Sequence, residues 1–302
     1  MKNRRARTPA IGPSDWIILD TSIIRGLVQG ESESINLVKE LRTLRGQHYI
    51  SLADGAPVEI LYWLERAPDE TIKRVKPALG ELSRILDPEF PIAPGPLDLA
   101  EFTGLIRYSP GKSRSDLKRF SKALWKHLRT IASREDLKRD LRYRNSSDQE
   151  VIKRYKGTEG VLRPLQDTWI DSLIAADAKR VGYEGLAEEH AERITQRNQK
   201  RLAELIHLPP SNGVRARLEL LNQYMVERVR MVSAKGYSPP KKTSSNPAVD
   251  AILLFYMVLP AIVCTADSRF VNSVRSLKPP DRLRVMLPAE LLAWLREGIL
   301  PS

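Results

Sequence analysis

Four carboxylates in this chain occupy positions from which they could hold a hard metal cation. Asp20 closes the apolar run WIIL, and Asp267 stands two residues beyond the run AIVCT. Asp250 falls in the first turn of NPAVDAILLFYMV, and Glu59 follows the run HYISL inside APVEIL. Taken singly, each has an ordinary role: a turn or helix-cap residue at Asp20, a helix cap at Asp267, a first-turn acid favoured by the helix dipole at Asp250, a surface acid at Glu59. Brought together from four separate segments, they would repel one another in a small volume. A divalent cation removes that repulsion, and Mg²⁺ or Mn²⁺ prefers oxygen donors. One or two such ions would activate water and stabilise the charge on a phosphodiester under attack.

The acids can meet only if the elements beneath them end at a common edge. WIILD, HYISL, AIVCT and LRVML each read as a short strand. Between the first two, SESINLVKELRTLRG places Ile35, Val38 and Leu41 on one helical stripe with Leu37 and Leu44 beside it, opened by Ser32 or Ser34 and closed by Gly46. Further helices are predicted from the Asp54–Pro57 turn onward, over 70–86, over NPAVDAILLFYMV, from DSRFVNSVRSL and over PAELLAWLRE. DPEFPIAPGP breaks the pattern with four prolines. From there to about residue 245 nearly everything reads as helix, with one stripe at Leu117, Phe120, Leu124, Leu128 and Ile131 and another at Val214, Leu218, Leu221, Met225 and Val229. Strand and helix thus alternate on both sides of a helical block. This predicts one α/β domain with a parallel sheet, at 15–95 and 246–302, interrupted by an insert at 96–245 and preceded by a basic tail at 1–14. In such sheets the strand C-termini collect on one edge, where ligands bind. Asp20 and Asp267 lie on that edge, and the first turns of the helices carrying Glu59 and Asp250 reach it.

The chain has 302 residues, 42% hydrophobic and 28% charged, which is the balance of a globular protein with a sizeable core. Its single cysteine, Cys264, excludes an intrachain disulfide and suits a reducing compartment. Inside an apolar strand that thiol is expected to be buried and inert. The apolar run from Ala251 to Cys264 contains Pro260 and is too short to span a membrane. The N-terminal MKNRRARTPA lacks the apolar stretch of a signal peptide. A cytoplasmic protein with no membrane partner is expected.

The formal net charge is +12, and between Arg107 and Arg163 there are 17 Lys or Arg against 7 Asp or Glu. A basic surplus so concentrated predicts contact with a polyanion. Arg107, Lys112, Arg114, Lys118, Arg119, Lys122 and Lys126 would line a phosphate-contacting face or, equally, the solvated face of an amphipathic helix.

WIILDTSII, ISLADGAPVEIL, VDAILLFYMVLPAIVCTADSRF and VMLPAELL resemble the successive signatures of the PIN domain, a family of metal-dependent nucleases that most often act on RNA. The family pattern is an Asp closing the first strand, a Glu on the helix after the second, an Asp opening a later helix, and a T-x-D-x-x-F element. Asp20, Glu59, Asp250 and Asp267 match it residue by residue, with Thr265 and Phe270 completing the last element. The resemblance covers roughly residues 15–70 and 246–295. It implies a three-layer α/β/α domain with a central parallel sheet and a carboxylate-held Mg²⁺ or Mn²⁺. Asp20, Asp250 and Asp267 would be ligands, Glu59 a ligand or the base on the water, and Thr265 a supporting or water-positioning hydroxyl. The implied activity is endoribonucleolytic, leaving a 5′-phosphate and a 3′-hydroxyl, with the basic insert gripping structured or single-stranded RNA.

Two other functions share this frame. One is a catalytically silent RNA-binding or scaffold protein; the complete set of acids favours the enzyme. The other is the ribonuclease toxin of a toxin–antitoxin pair, held by an inhibitory partner protein. A second candidate for the third-acid helix, TWIDSLIAADAKRVGYEG led by Asp171, is followed by a charged helical stretch rather than by a strand and T-x-D. PGKS at 110–113 lacks the phosphate-loop glycine, since Ile106 stands there. His48, His127, His190 and His207 have no metal-ligand spacing with each other or with Cys264. Trp16, Trp63, Trp125, Trp169 and Trp294 are spread over the chain and are expected to anchor the core.

Overall fold

A strand covered on both faces carries apolar residues at every position rather than at alternate ones. Trp16–Leu19 meets that condition, with all four side chains buried, and forms β1. It lies at the centre of a sheet with β2 (Tyr49–Leu52), β3 (Ile262–Cys264) and β4 (Val285–Met286) in the order β2-β1-β3-β4. Every pairing is parallel: Ile17 stands opposite Ile50 and Ile262, and Leu19 opposite Leu52 and Cys264. The chain after the four prolines returns to this sheet through a parallel bridge between Leu52 and Ile92. The computed structural model describes residues 16–44, 46–64, 66–95, 98, 114–139, 219–221, 223–224, 227, 230–231, 253–259 and 261–297.

The helices are α1 (Thr21–Gln29), α2 (Ser32–Thr43), α3 (Ala56–Leu64), α4 (Asp69–Leu82), α5 (Arg114–Thr130), α6 (Arg134–Arg139), α7 (Ser268–Arg275) and α8 (Pro288–Glu297). The architecture is therefore α/β, an all-parallel sheet packed against helices, consistent with three α/β/α layers. Glycine matters at two places on α1. Gly30 ends the helix at φ 82°, a conformation that side chains disfavour, and its amide bonds back to Gly26 and Leu27. At Gly26 a Cβ would sit 2.2 Å from Ser34 Oγ, so the absent side chain lets α2 approach.

Three local expectations shift. On α2 the buried stripe runs through Ser34, Leu37, Val38 and Leu41, leaving Ile35 at its margin. The helix predicted over 70–86 runs over Asp69–Leu82, and Asp87 then caps the following turn by accepting from the Glu89 and Phe90 amides. Phe255–Val258 is a 3₁₀ turn rather than α-helix, closed by the Leu259 amide bonding back to the Tyr256 carbonyl. Of the predicted helical block, α5 packs Leu117, Leu124, Trp125 and Leu128 into the same core as the sheet. The basic tail and most of 96–245, with Trp169 and Asp171, lie outside the described residues. Among the described residues no helix is long and apolar enough to cross a membrane.

Candidate active site

The strand order creates the site before any side chain does. From β1 the chain moves to β2 on one side, whereas β3 lies on the other side of β1. Connections that leave neighbouring parallel strands in opposite directions open a crevice at the strands' carboxyl ends. Asp20 directly follows β1, and Thr265 and Asp267 follow β3.

Hydrogen bonds lock these two chain ends together. The Asp20 amide donates to the Cys264 carbonyl at 2.9 Å, extending the ladder by one bond. Asp20 Oδ2 accepts from Ser22 Oγ at 2.7 Å, from the Ser22 amide at 3.3 Å and from Thr265 Oγ1 at 2.8 Å. A hydroxyl has one proton to donate. Those of Ser22 and Thr265 both point at Asp20, so the 3.2 Å between the two hydroxyl oxygens is the spacing of two donors on one acceptor. Their lone pairs accept in turn: Thr265 Oγ1 from the Asp267 amide at 3.1 Å, and Ser22 Oγ from the Ala266 amide at 2.8 Å. Thr265 is buried, which suits a residue that positions Asp20 rather than one that meets substrate.

Asp267 also fulfils its ordinary role. Its Oδ1 caps α7 by accepting from the Arg269 and Phe270 amides at 2.9 and 3.0 Å. Capping uses one oxygen; among the described residues Oδ2 has no donor, and neither does Asp20 Oδ1. Phe270 is core, buried and edge-on to Tyr224.

Glu59 sits in the first turn of α3, partly buried, with no hydrogen bond to its carboxylate from the described residues. Burial, and then the charge of Asp20, push its carboxyl up from 4.5 to about 7. The Thr21 hydroxyl and the Arg25 guanidinium pull in the opposite direction. The Thr21 hydroxyl faces it without reaching hydrogen-bond geometry, and Arg25 Nε is likewise buried without a partner among the described residues. Asp250 lies outside the described residues.

This donor set fits Mg²⁺ or Mn²⁺. It is all oxygen, it leaves unbonded oxygens on Asp20, Asp267 and Glu59, and it holds two carboxylates whose charges disfavour each other. Among the described residues no three His, Cys, Asp or Glu side chains form a metal-holding group. Ser22 is the hydrogen-bond partner of Asp20 that reading the sequence missed. The signal was its place two residues after Asp20, where an aspartate side chain accepts from the backbone amide. Cys264 is fully buried, and burial, followed by the charges of Asp20 and Glu290, pushes its thiol well above the usual range.

The basic residues divide. Arg107 and Lys112 lie outside the described residues. Lys118 bonds to Glu89, with Arg114 at 3.8 Å from the same carboxylate. Arg119 pairs with Asp116 at 3.5 Å. Lys122 and Lys126 are exposed and, with Arg129, rim a cavity of about 630 Å³ beside Trp125 and the 83–91 segment. Set against family models, curated proteins and solved structures, the chain matches none.

Proposed function

We propose that this chain is a metal-dependent endoribonuclease whose α/β part is a PIN-like domain, 15–95 with 246–302, carrying a basic helical insert at 96–245. The observation that carries the reading is the lock at the sheet edge: Asp20 and the Thr265–Asp267 turn are tied together where β1 and β3 diverge, and Glu59 is charge-coupled to Asp20.

Asp20, Glu59 and Asp267 would hold Mg²⁺ or Mn²⁺ through the oxygens left unbonded, with Asp250 completing the set. The ion, when bound, activates water and offsets the charge of the phosphodiester. Ser22 and Thr265 hold Asp20 by one oxygen and leave the other available. Glu59, with a proton affinity near neutrality, suits a group that accepts a proton from water at its carboxylate. Attack in line on phosphorus expels the 3′ oxygen and leaves a 5′-phosphate. Lys122 and Lys126, which make no salt bridge among the described residues, would meet the RNA backbone.

The test compares wild type with Asp20→Asn on single-stranded and stem-loop RNA. Cleavage is expected with Mg²⁺ or Mn²⁺ and should vanish with a chelator. The substitution should reduce it by more than the roughly 10- to 100-fold that loss of a supporting residue costs. Equal cleavage by the two proteins, or none with any divalent ion, overturns the reading.

A further inference from the structure

Glu59 and Trp63 lie one turn apart on α3, and Thr21 and Arg25 one turn apart on α1. The two helices pack so that the Arg25 guanidinium carbon stands 5.7 Å from the centre of the Trp63 ring. Beyond this pair, away from the acids, α1, α3 and the start of α4 enclose a cavity of about 280 Å³. Trp63, Val28, Gln29, Arg66, Thr71 and Arg74 are among the residues that line it. At 1.5 Å per residue, Glu59 and Trp63 are about 6 Å apart along the helix axis. The cavity therefore opens a short step from the acid cluster.

Its chemistry is specific. The volume is near the lower limit of small-molecule pockets, roughly 300 Å³, a size for one ring system rather than an extended ligand. Trp63 is only partly buried, whereas Trp16 and Trp125 are buried. Gln29 and Thr71 can each donate and accept hydrogen bonds. No described residue lining the cavity is acidic. The acids at the start of α4 are engaged elsewhere, Asp69 with Arg134 at 2.8 Å and Glu70 with Lys73 at 2.7 Å. Arg74 is exposed and makes no ion pair among the described residues. Arg25 Nε, between the cavity and the acids, is a buried donor with no partner among the described residues. An aromatic surface flanked by cations, Arg74 with no ion pair among the described residues and Arg25 on the side of Glu59, matches a base and its phosphates.

We propose that this cavity is a nucleobase subsite that takes one unstacked base of single-stranded RNA near the scissile phosphate, stacked on Trp63, with the adjoining phosphates on Arg25 and Arg74. The proposal rests on the ribonuclease reading and gives that site a substrate class, a strand whose bases are free to leave the stack.

Binding separates it from catalysis. In the Asp20→Asn chain, affinity for a short fluorescein-labelled single-stranded RNA is measured by anisotropy, with Trp63→Ala, Trp63→Phe or Arg74→Ala added. Trp63→Ala should weaken binding roughly 10- to 100-fold, the cost of one base–aromatic stack. Trp63→Phe should retain most of the affinity, and duplex RNA should bind each variant alike. Arg74→Ala, at an exposed position that folding does not need, should lower the slope of log affinity against log salt by about 0.7. Unchanged affinity in both Trp63→Ala and Arg74→Ala, or an equal loss for duplex, overturns the subsite. If the wild type still cleaves RNA in that case, the ribonuclease reading stands without it. If binding depends on Trp63 but the wild type cleaves no RNA with any divalent ion, the subsite stands and the ribonuclease reading falls.

Discussion

Asp20 and Glu59 feel each other's charge yet are held by opposite means. Asp20 is gripped through one oxygen by the Ser22 amide and by two hydroxyls, one from its own turn and one from a loop 245 residues away. Glu59 is placed by α3 alone, withdrawn from water, with no described donor on its carboxylate and a like charge beside it. The first arrangement fixes a geometry. The second stores a repulsion that a proton or a cation relieves. A site with both kinds of acid has a rigid anchor and a group whose protonation responds to what binds next to it.

The largest expected effect tests the Glu59 side. Its carboxyl titrates at about 7 in the folded protein against an ordinary 4.5. Between those values the folded chain holds a proton that the unfolded chain has released. The stability linked to that proton is fully present below about pH 4.5 and disappears as pH rises through about 7. At roughly 1.4 kcal/mol per pH unit of displacement the loss is about 3 kcal/mol. Urea denaturation in a chelator across this range should show the fall in wild type and its absence in Glu59→Gln. Mn²⁺ should restore wild-type stability at neutral pH. Parallel profiles for the two proteins would remove the coupling on which this side of the contrast stands.

Thr265→Val tests the Asp20 side. It keeps the shape but withdraws the donor to Asp20 and the acceptor of the Asp267 amide. Mn²⁺ affinity by calorimetry should drop about 10- to 100-fold, as for loss of a residue that supports a ligand. The pH-dependent fall at Glu59 should persist, because no bond to Glu59 is touched. Loss of both together would show that the two acids are one cooperative unit rather than an anchor and a responsive partner.

The smallest effect lies on α5, where a lysine in a salt bridge stands beside two without one among the described residues. Lys118 is bonded to Glu89, whereas Lys122 and Lys126 make no salt bridge among the described residues. Replacing Lys122 and Lys126 by Ala should flatten the salt dependence of single-stranded RNA binding by about 1.4 in slope, 0.7 for each phosphate no longer neutralised. Lys118→Ala should leave the slope nearly unchanged. Equal changes would mean that Glu89 does not hold Lys118 away from RNA.

Much of this was legible in the residues because burial leaves a local trace. WIIL and IVC read as strands since a doubly covered parallel strand is apolar throughout, and YISL departs from this only at Ser51 and half-buried Tyr49, the Ser51 hydroxyl donating to the Phe90 carbonyl. Asp20 and Asp267 stood out because each follows such a run, and both cap the next helix as acids at that position do. The limits of α4 and the 3₁₀ turn at Phe255–Val258 were less legible, because helix ends depend on caps and neighbouring turns more than on periodicity. The basic row from Arg114 to Lys126 looked uniform until Glu89, far off in sequence, was found to engage part of it.

What the chain order decided locally is which segments become strands and helices, and that acids stand at their ends. What only packing decided is which of those ends become neighbours. Ser22 bonds the loop after β3 because β3 adds to β1 on the side opposite β2, a choice that no local run of residues encodes. Glu59 acquires its high proton affinity because α3 brings it out of water and under the charge of Asp20. Periodicity and capping act over a few residues, whereas desolvation and charge coupling depend on distances that exist only once the sheet has assembled.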